Sequence, residues 1–268
     1  MSPFDKQIHA DEFKLRILMT DGCNKSCGFC LNDFQPKPKN EPTFINRTFV
    51  YPAIRAYANL FRDRYPLQVY FSGGEPTLHP NLVELVEWAK GYDCRVTLNT
   101  NGSFSNELEA QLGSVDCMHF GVYSVDENLA HRIQRMKGTV QCVYSQRFPY
   151  VDFQFLSFYL DYGLPIKVFG DLFEDPAGYA AFAEKVVHQF PGADLQFRFI
   201  GLQENRGIGC NNCDRYCVTL KGAWIFPDGT TSHCPQKCKG EVYDPSYSQW
   251  PEVLQKIEQL HKSQPKES

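Results

Sequence analysis

Between residues 15 and 200 a short apolar run is followed by an amphipathic stretch six times over. The runs expected as strands are Leu15–Thr20, Leu67–Phe71, Arg95–Asn99, Met118–Ser124, Val140–Tyr144 and Pro165–Phe169, with Leu195–Ile200 as one more. The stretches between them read as helices at Phe49–Arg62, His79–Ala89, Asn106–Leu112, Glu127–Arg135, Tyr150–Tyr162 and about 176–190. Apolar residues recur at helical spacing within them, for example Val50, Ile54, Tyr57 and Phe61, or Tyr179, Phe182, Val186 and Phe190. Asp175 before Pro176 supplies an N-cap and a proline at the first helical position. Such alternation calls for parallel strands joined by right-handed crossovers. A barrel and a doubly wound sheet both satisfy it.

Three motifs fall directly after expected strands. They are D-G-C-N-K-S-C-G-F-C (21–30), S-G-G-E-P (72–76) and T-N-G (100–102). In parallel barrels chemistry collects at that end of the strands. Cys23, Cys27 and Cys30 stand at C-x3-C-x2-C spacing. A cubane iron–sulfur cluster usually takes four thiolates, so three leave one iron open, much as a catalytic zinc keeps an open position. On spacing alone a zinc knuckle or a set of buried thiols stays open as well.

The three-cysteine loop, with Phe29 before its last cysteine, resembles the signature of the radical SAM family. Gly73-Gly74-Glu75-Pro76 resembles that family's second signature. The resemblance covers about residues 12–190 and implies an α/β fold, a partial (β/α)6 TIM-like barrel. It implies a [4Fe–4S] cluster on Cys23, Cys27 and Cys30, with S-adenosylmethionine on the open iron. The backbone of Gly73 and Gly74 and the carboxylate of Glu75 would hold the cofactor's ammonium, which suits an acceptor-only group. Phe29 would lie near the adenine. Ser124, and in a similar way Asn99 and Asn101, would serve the ribose or carboxylate, although each also fits a strand-end residue bonding local backbone. The implied chemistry is reductive cleavage of the sulfonium to methionine and a 5′-deoxyadenosyl radical, which abstracts hydrogen from a C–H bond. A flavodoxin- or ferredoxin-type electron donor follows as a partner.

Cysteine usage divides the chain further. Of eleven cysteines, three lie at 23–30 and five at 210–238. Cys94, Cys117 and Cys142 stand alone in or beside apolar stretches and read as packing residues. The first segment, Met1 to Lys14, carries charges throughout and no apolar signal-peptide core. No apolar run approaches membrane-spanning length. These features predict a cytoplasmic protein that binds metal through its cysteines rather than a disulfide scaffold. A net charge of −4 with scattered basic residues gives no nucleic-acid footprint.

The expected organisation is a barrel over 12–200 and a cysteine-rich extension, a hairpin plus a helix, over 201–268. Pro227-Asp228-Gly229 is the hairpin turn, and Cys217 and Cys234 sit at its open ends. The spacing Cys217, Gly229, Cys234 resembles the start of the SPASM/twitch extensions of radical SAM enzymes, which bind auxiliary [4Fe–4S] clusters. Cys210, Cys213, Cys217, Cys234 and Cys238 are the candidate ligands. The order departs from the twitch pattern, because Cys210 and Cys213 precede the hairpin and only Cys238 follows it. A zinc ribbon on the same thiolates is the alternative. His233 reads as a surface histidine, and a last amphipathic helix at Pro251–His261 packs on the body.

An auxiliary cluster suits an oxidoreductase acting on a small molecule, as in short alcohol-oxidising relatives of that family. Peptide maturases are the alternative class, and the lack of an added N-terminal domain tilts the expectation to a small molecule. A non-catalytic iron–sulfur or zinc protein is the third reading, which G-G-E-P opposes. Alternation puts Thr97 with Asn99, His119 with Tyr123, and Gln196 with Arg198 on common faces. Tyr123 and Arg198 are the candidate substrate contacts.

Overall fold

In the computed structural model of the chain, the residues described are 12–30, 41–171, 176–198, 222–233, 242–246 and 248–262. In chain order the strands are β1 (Lys14–Leu18), β2 (Gln68–Ser72), β3 (Arg95–Thr100), β4 (Cys117–Gly121), β5 (Thr139–Tyr144), β6 (Ile166–Gly170), β7 (Leu195–Arg198), β8 (Gly222–Ile225), β9 (Thr231–Ser232) and β10 (Val242–Tyr243). The α-helices are α1 (Arg47–Phe61), α2 (Leu82–Lys90), α3 (Asn106–Gln111), α4 (Glu127–Arg135), α5 (Phe153–Asp161), α6 (Pro176–Gln189) and α7 (Trp250–Lys262). The architecture is mixed α/β with parallel pairing of consecutive strands, in keeping with an open partial (β/α)6 barrel.

The chain divides into two compact units. The larger includes the described residues of 12–26, 41–116 and 222–262; the smaller includes 27–30 and 117–198. In the larger unit the strand order is β10-β9-β8-β1-β2-β3. Leu15 faces Val69 across β1 and β2, and Val69 faces Val96 across β2 and β3. The hairpin expected in the cysteine-rich extension is present as β8 and β9, closed by a bond from Gly229 N–H to the Phe226 carbonyl at 2.9 Å. Its first strand pairs in parallel with β1, with Ala223 beside Leu15 and Ile225 beside Ile17. Helix α7 buries Trp250, Val253, Leu254 and Ile257. Its buried Glu258 takes the Arg64 guanidinium at 2.9 Å and the Tyr65 hydroxyl at 2.8 Å, which compensates a carboxylate otherwise costly to bury.

In the smaller unit the order is β4-β5-β6-β7, all parallel. Burial alternates along these strands. Phe120, Val140, Val168 and Phe197 are buried, while His119, Gln141 and Lys167 on the opposite parity stay half-exposed. The Lys167 ammonium donates to His119 Nε2 at 3.1 Å.

Helix starts follow side-chain caps. Asn46 accepts from Thr48 N–H at 2.9 Å, so α1 begins before the expected Phe49 and takes in Pro52. Asp152 accepts from Phe155 N–H at 2.8 Å, so α5 begins at Phe153 rather than Tyr150. Strand β4 ends at Gly121, three residues before Ser124, which the sequence reading puts inside the strand. The Asp175 cap lies outside the described residues. Burial pushes the Cys94 thiol up to about 12 and raises the Cys142 thiol further, as suits packing cysteines. Cys117, on β4, is half-buried.

Candidate functional site

In the larger unit the segment after β1 is sewn to the strip after β2. Met19 N–H donates to the Ser72 carbonyl, Gly74 N–H to the Thr20 carbonyl and Glu75 N–H to the Gly22 carbonyl, each at 2.8 Å. Both glycines are needed for this approach. Gly73 has φ +130, and a Cβ there would lie 2.7 Å from the Thr20 oxygen. A Cβ at Gly74 would lie 2.5 Å from the Gly22 carbonyl carbon and closer still to its oxygen. The close neighbour of G-G-E-P is therefore the backbone that leads into the cysteine loop. Thr20 and Asp21 fasten that backbone in turn. Thr20 Oγ1 donates to the Thr43 carbonyl at 2.8 Å, and Asp21 Oδ1 accepts from Thr43 N–H at 2.7 Å.

The carboxylate of Glu75 is 1% exposed and accepts four hydrogen bonds. Oε1 takes Thr77 N–H (3.1 Å), Thr77 Oγ1 (2.6 Å) and Thr100 Oγ1 (2.7 Å), and Oε2 takes Asn101 N–H (2.7 Å). It binds the loop after β2 to the T-N-G turn after β3. The sequence reading gives this carboxylate to a ligand ammonium; within the protein its four bonds run to the loop after β2 and the turn after β3.

Asn101 is the hub of the next layer. Its side-chain amide donates to Asn24 Oδ1 at 2.6 Å and approaches Cys23 Sγ at 3.9 Å, and its Oδ1 accepts from Ser103 N–H at 2.9 Å. Lys25 N–H also points at Cys23 Sγ, at 3.4 Å, and the Lys25 ammonium reaches the Asn101 carbonyl at 3.4 Å. Asn99, at the end of β3, is half-buried. His79 lies behind the site, 5% exposed. Its Nδ1 accepts from Asn81 N–H, so Nε2 carries the proton shared with the Ile45 carbonyl at 2.9 Å; burial holds its pKa below the usual histidine range.

In the smaller unit Cys27 and Cys30 close a turn through Cys30 N–H to the Cys27 carbonyl, 3.1 Å. Phe29 between them is 4% exposed. Tyr123 packs on it with ring centres 4.5 Å apart, and Phe148 and Tyr150 each stand 6.2 Å away at steep angles. A Cβ on Gly28 would lie 2.5 Å from the Phe148 ring. Arg147 stands 5.4 Å from the Phe148 ring centre and donates to the buried Asp171 at 2.9 Å. Phe29 is thus enclosed by protein rings. Tyr123, a candidate substrate contact, is one of those rings. Ser124 is exposed, and its carbonyl accepts from Tyr159 OH at 2.7 Å. Arg198 is exposed and bonds Gln196 Oε1 at 3.4 Å, on the common face that alternation predicts.

The sequence reading assigns Phe148, Tyr150, Arg147 and Asp171 to no site. The available signal was their place directly after β5 and β6. His233 is buried, 6% exposed, and not the surface residue expected. Cys210, Cys213, Cys217, Cys234 and Cys238 lie outside the described residues.

The donors present fit an iron–sulfur cluster. Cys23, Cys27 and Cys30 form no disulfide and are half-buried. Two N–H groups are directed at Cys23 Sγ, as donors commonly are at the sulfurs of such clusters. Among the described residues no three of His, Cys, Asp and Glu are gathered as a ready-made metal cage. No helix among them is long and apolar enough to cross a membrane.

The Radical SAM superfamily model matches residues 17–145. GTP 3′,8-cyclase of Pasteurella multocida (strain Pm70) is 29% identical over 126 residues, 45% of this chain and 36% of the relative. GTP 3′,8-cyclase of Vibrio vulnificus (strain YJ016) is 26% identical over 138 residues, 48% of this chain and 39% of the relative. The chain therefore spans under half the length of these curated relatives. Among solved structures, anSMEcpe with bound AdoMet superposes with a TM-score of 0.67 at 14% identity, covering 93% of this chain and 83% of that one. Streptococcus suis SuiB bound to precursor peptide SuiA gives 0.65 at 16% identity, covering 90% and 65%. At those identities the structures speak for the fold, and the span matched by the family model includes the three-cysteine segment and G-G-E-P.

Proposed function

We propose that this protein is a radical SAM enzyme that binds a [4Fe–4S] cluster on Cys23, Cys27 and Cys30 and S-adenosylmethionine beside it. The observation that carries this is the bonding of G-G-E-P, backbone to backbone, onto the lead-in to the three-cysteine loop. Bound together, cluster and cofactor supply reductive cleavage of the sulfonium and a carbon radical able to take hydrogen from an unreactive C–H bond. The chain's own residues bind and orient. Backbone groups of Gly73 and Gly74 hold the cofactor's ammonium. Glu75 fixes the strip that does so and aligns the T-N-G turn. Asn99 and Ser124 serve the ribose or carboxylate. Phe29 and its surrounding rings exclude water from the Cys27–Cys30 side of the loop.

The tail cysteines Cys210, Cys213, Cys217, Cys234 and Cys238 hold a second [4Fe–4S] cluster, with zinc as the alternative. The substrate is a small molecule that is oxidised or otherwise functionalised. The sequence relatives, cyclases of a nucleotide, support that class. Tyr123 and Arg198 remain its candidate contacts. A peptide side chain is the second reading, supported by fold neighbours solved with peptides. A flavodoxin- or ferredoxin-type protein in the cytoplasm supplies the electron.

The test is anaerobic reconstitution followed by S-adenosylmethionine and a low-potential reductant. The expected result is 5′-deoxyadenosine and methionine in equal amounts, and a loss of about 100-fold or more in the Cys27→Ala variant. Intact S-adenosylmethionine with the iron-loaded protein would refute the reading. Iron analysis separates the tail alternatives: about eight irons per chain for two cubanes, about four with one zinc for a ribbon.

A further inference from the structure

Two N–H groups are aimed at the sulfur of Cys23. The Lys25 backbone N–H lies 3.4 Å from Sγ and the Asn101 side-chain amide 3.9 Å from it, within reach of N–H···S bonds. The orientation of that amide is fixed by its neighbours. Ser103 N–H can only donate, so the Asn101 atom facing it at 2.9 Å is the oxygen. The nitrogen then faces Asn24 Oδ1 and Cys23 Sγ, one hydrogen for each. A flipped amide would set its oxygen against Asn24 Oδ1 and the sulfur, and its N–H groups against Ser103 N–H.

The backbone of Asn101 is held on both sides. Its N–H is bound by Glu75 Oε2 at 2.7 Å and its carbonyl by the Lys25 ammonium at 3.4 Å. Glu75 is itself buried and carries three further bonds. A rigid path therefore runs from G-G-E-P through Glu75 to a hydrogen-bond donor on one cysteine sulfur.

Hydrogen bonds to the sulfurs are among the factors that set an iron–sulfur cluster's reduction potential, and outer groups tune a metal through its ligands. An N–H donor stabilises the more negative, reduced cluster more than the oxidised one. We propose that Asn101 raises the reduction potential of the cluster held by Cys23, Cys27 and Cys30 by donating to Cys23 Sγ, with Glu75 as the residue that positions it. This rests on the cluster reading above, and gives Asn101 a role on a ligand sulfur rather than on the cofactor's ribose.

The test is a redox titration of the anaerobically reconstituted full chain, followed by EPR. The N-terminal cluster is recognised as the signal that S-adenosylmethionine alters. Asn101→Leu removes both amide hydrogens at similar volume, and Asn101→Asp replaces the donor by an acceptor. At the wild-type midpoint, the expected ratio of reduced to oxidised cluster falls about tenfold in Asn101→Leu, a shift of about 59 mV to more negative potential for one electron, and further in Asn101→Asp. Unchanged midpoints in variants that load iron would overturn the inference and leave the cluster reading standing. Loss of the cluster from both variants with the fold intact would also overturn it, since Asn101 would then build the site rather than tune it. Failure of the wild type to take up iron would instead sink the cluster reading on which the inference rests.

Discussion

One cysteine loop is held by two kinds of chemistry. Around Cys23 the larger unit uses polar groups: backbone carbonyls of Thr20 and Gly22, the four-bonded Glu75 carboxylate and the Asn24–Asn101 amide pair. Around Cys27 and Cys30 the smaller unit uses rings: Phe29 with Tyr123, Phe148 and Tyr150. Directional bonds fix a position to fractions of an ångström and leave no slack for an added atom. Ring packing excludes water over a larger area and tolerates adjustment. The polar side is thus suited to orienting a charged cofactor and tuning a sulfur, and the aromatic side to keeping the loop dry.

Substituting glycine on each side sharpens that contrast most. Gly74→Ala sets a methyl group into the Gly22 backbone, which cannot move without breaking the bonds from Gly74 and Glu75. The expected loss is about 3 kcal/mol or more in a urea melt, or no soluble protein. Gly28→Ala meets the Phe148 ring first, a side chain that can swing aside, and is expected to cost about 1 kcal/mol. Equal costs would erase the distinction.

Glu75→Ala comes next. It leaves Thr100 Oγ1 and Asn101 N–H without their acceptor in a buried setting, for an expected loss of about 2–3 kcal/mol by the same melt. On the aromatic side Phe148→Leu is expected to cost about 1 kcal/mol, with a faster loss of iron in air from the reconstituted protein. If Phe148→Leu proved the more damaging of the two, the polar frame would not be the stiffer one.

The smallest effect concerns His79. Burial lowers its pKa in the folded chain, so the unfolded chain binds the proton more readily. Its contribution is fully present above the unfolded value of about 6.5 and is lost as pH falls through that value toward the folded one. The wild-type Tm is expected to drop between pH 7.5 and 5.5 by more than that of His79→Gln; parallel profiles would contradict this.

What the sequence revealed and what it hid follow the same divide. Repeated alternation announced the parallel α/β layout, and cysteine spacing with G-G-E-P marked out the two segments that the structure bonds together backbone to backbone. These signals are local in the chain and need no knowledge of which strands end side by side. The reach of Glu75 to Thr100 and Asn101 spans 25 and 26 residues. That contact exists only once β2 and β3 pair, so an acidic residue beside two glycines gave no hint that it turns inward. Phe148 and Tyr150 were hidden for a related reason, since one reads as loop and the other as a helix start until packing brings both to Phe29. Helix starts were misread at Asn46 and Asp152 because their caps lie outside the apolar pattern used to find the helices.

The account stands on three thiolates that leave one iron open to S-adenosylmethionine. Mössbauer spectroscopy of protein anaerobically reconstituted with iron-57 tests this most directly. The expected spectrum has one iron of a [4Fe–4S] cluster set apart from its neighbours on addition of S-adenosylmethionine, and Cys23→Ala abolishes that component. A cluster spectrum indifferent to S-adenosylmethionine, or one that persists in Cys23→Ala, would contradict it.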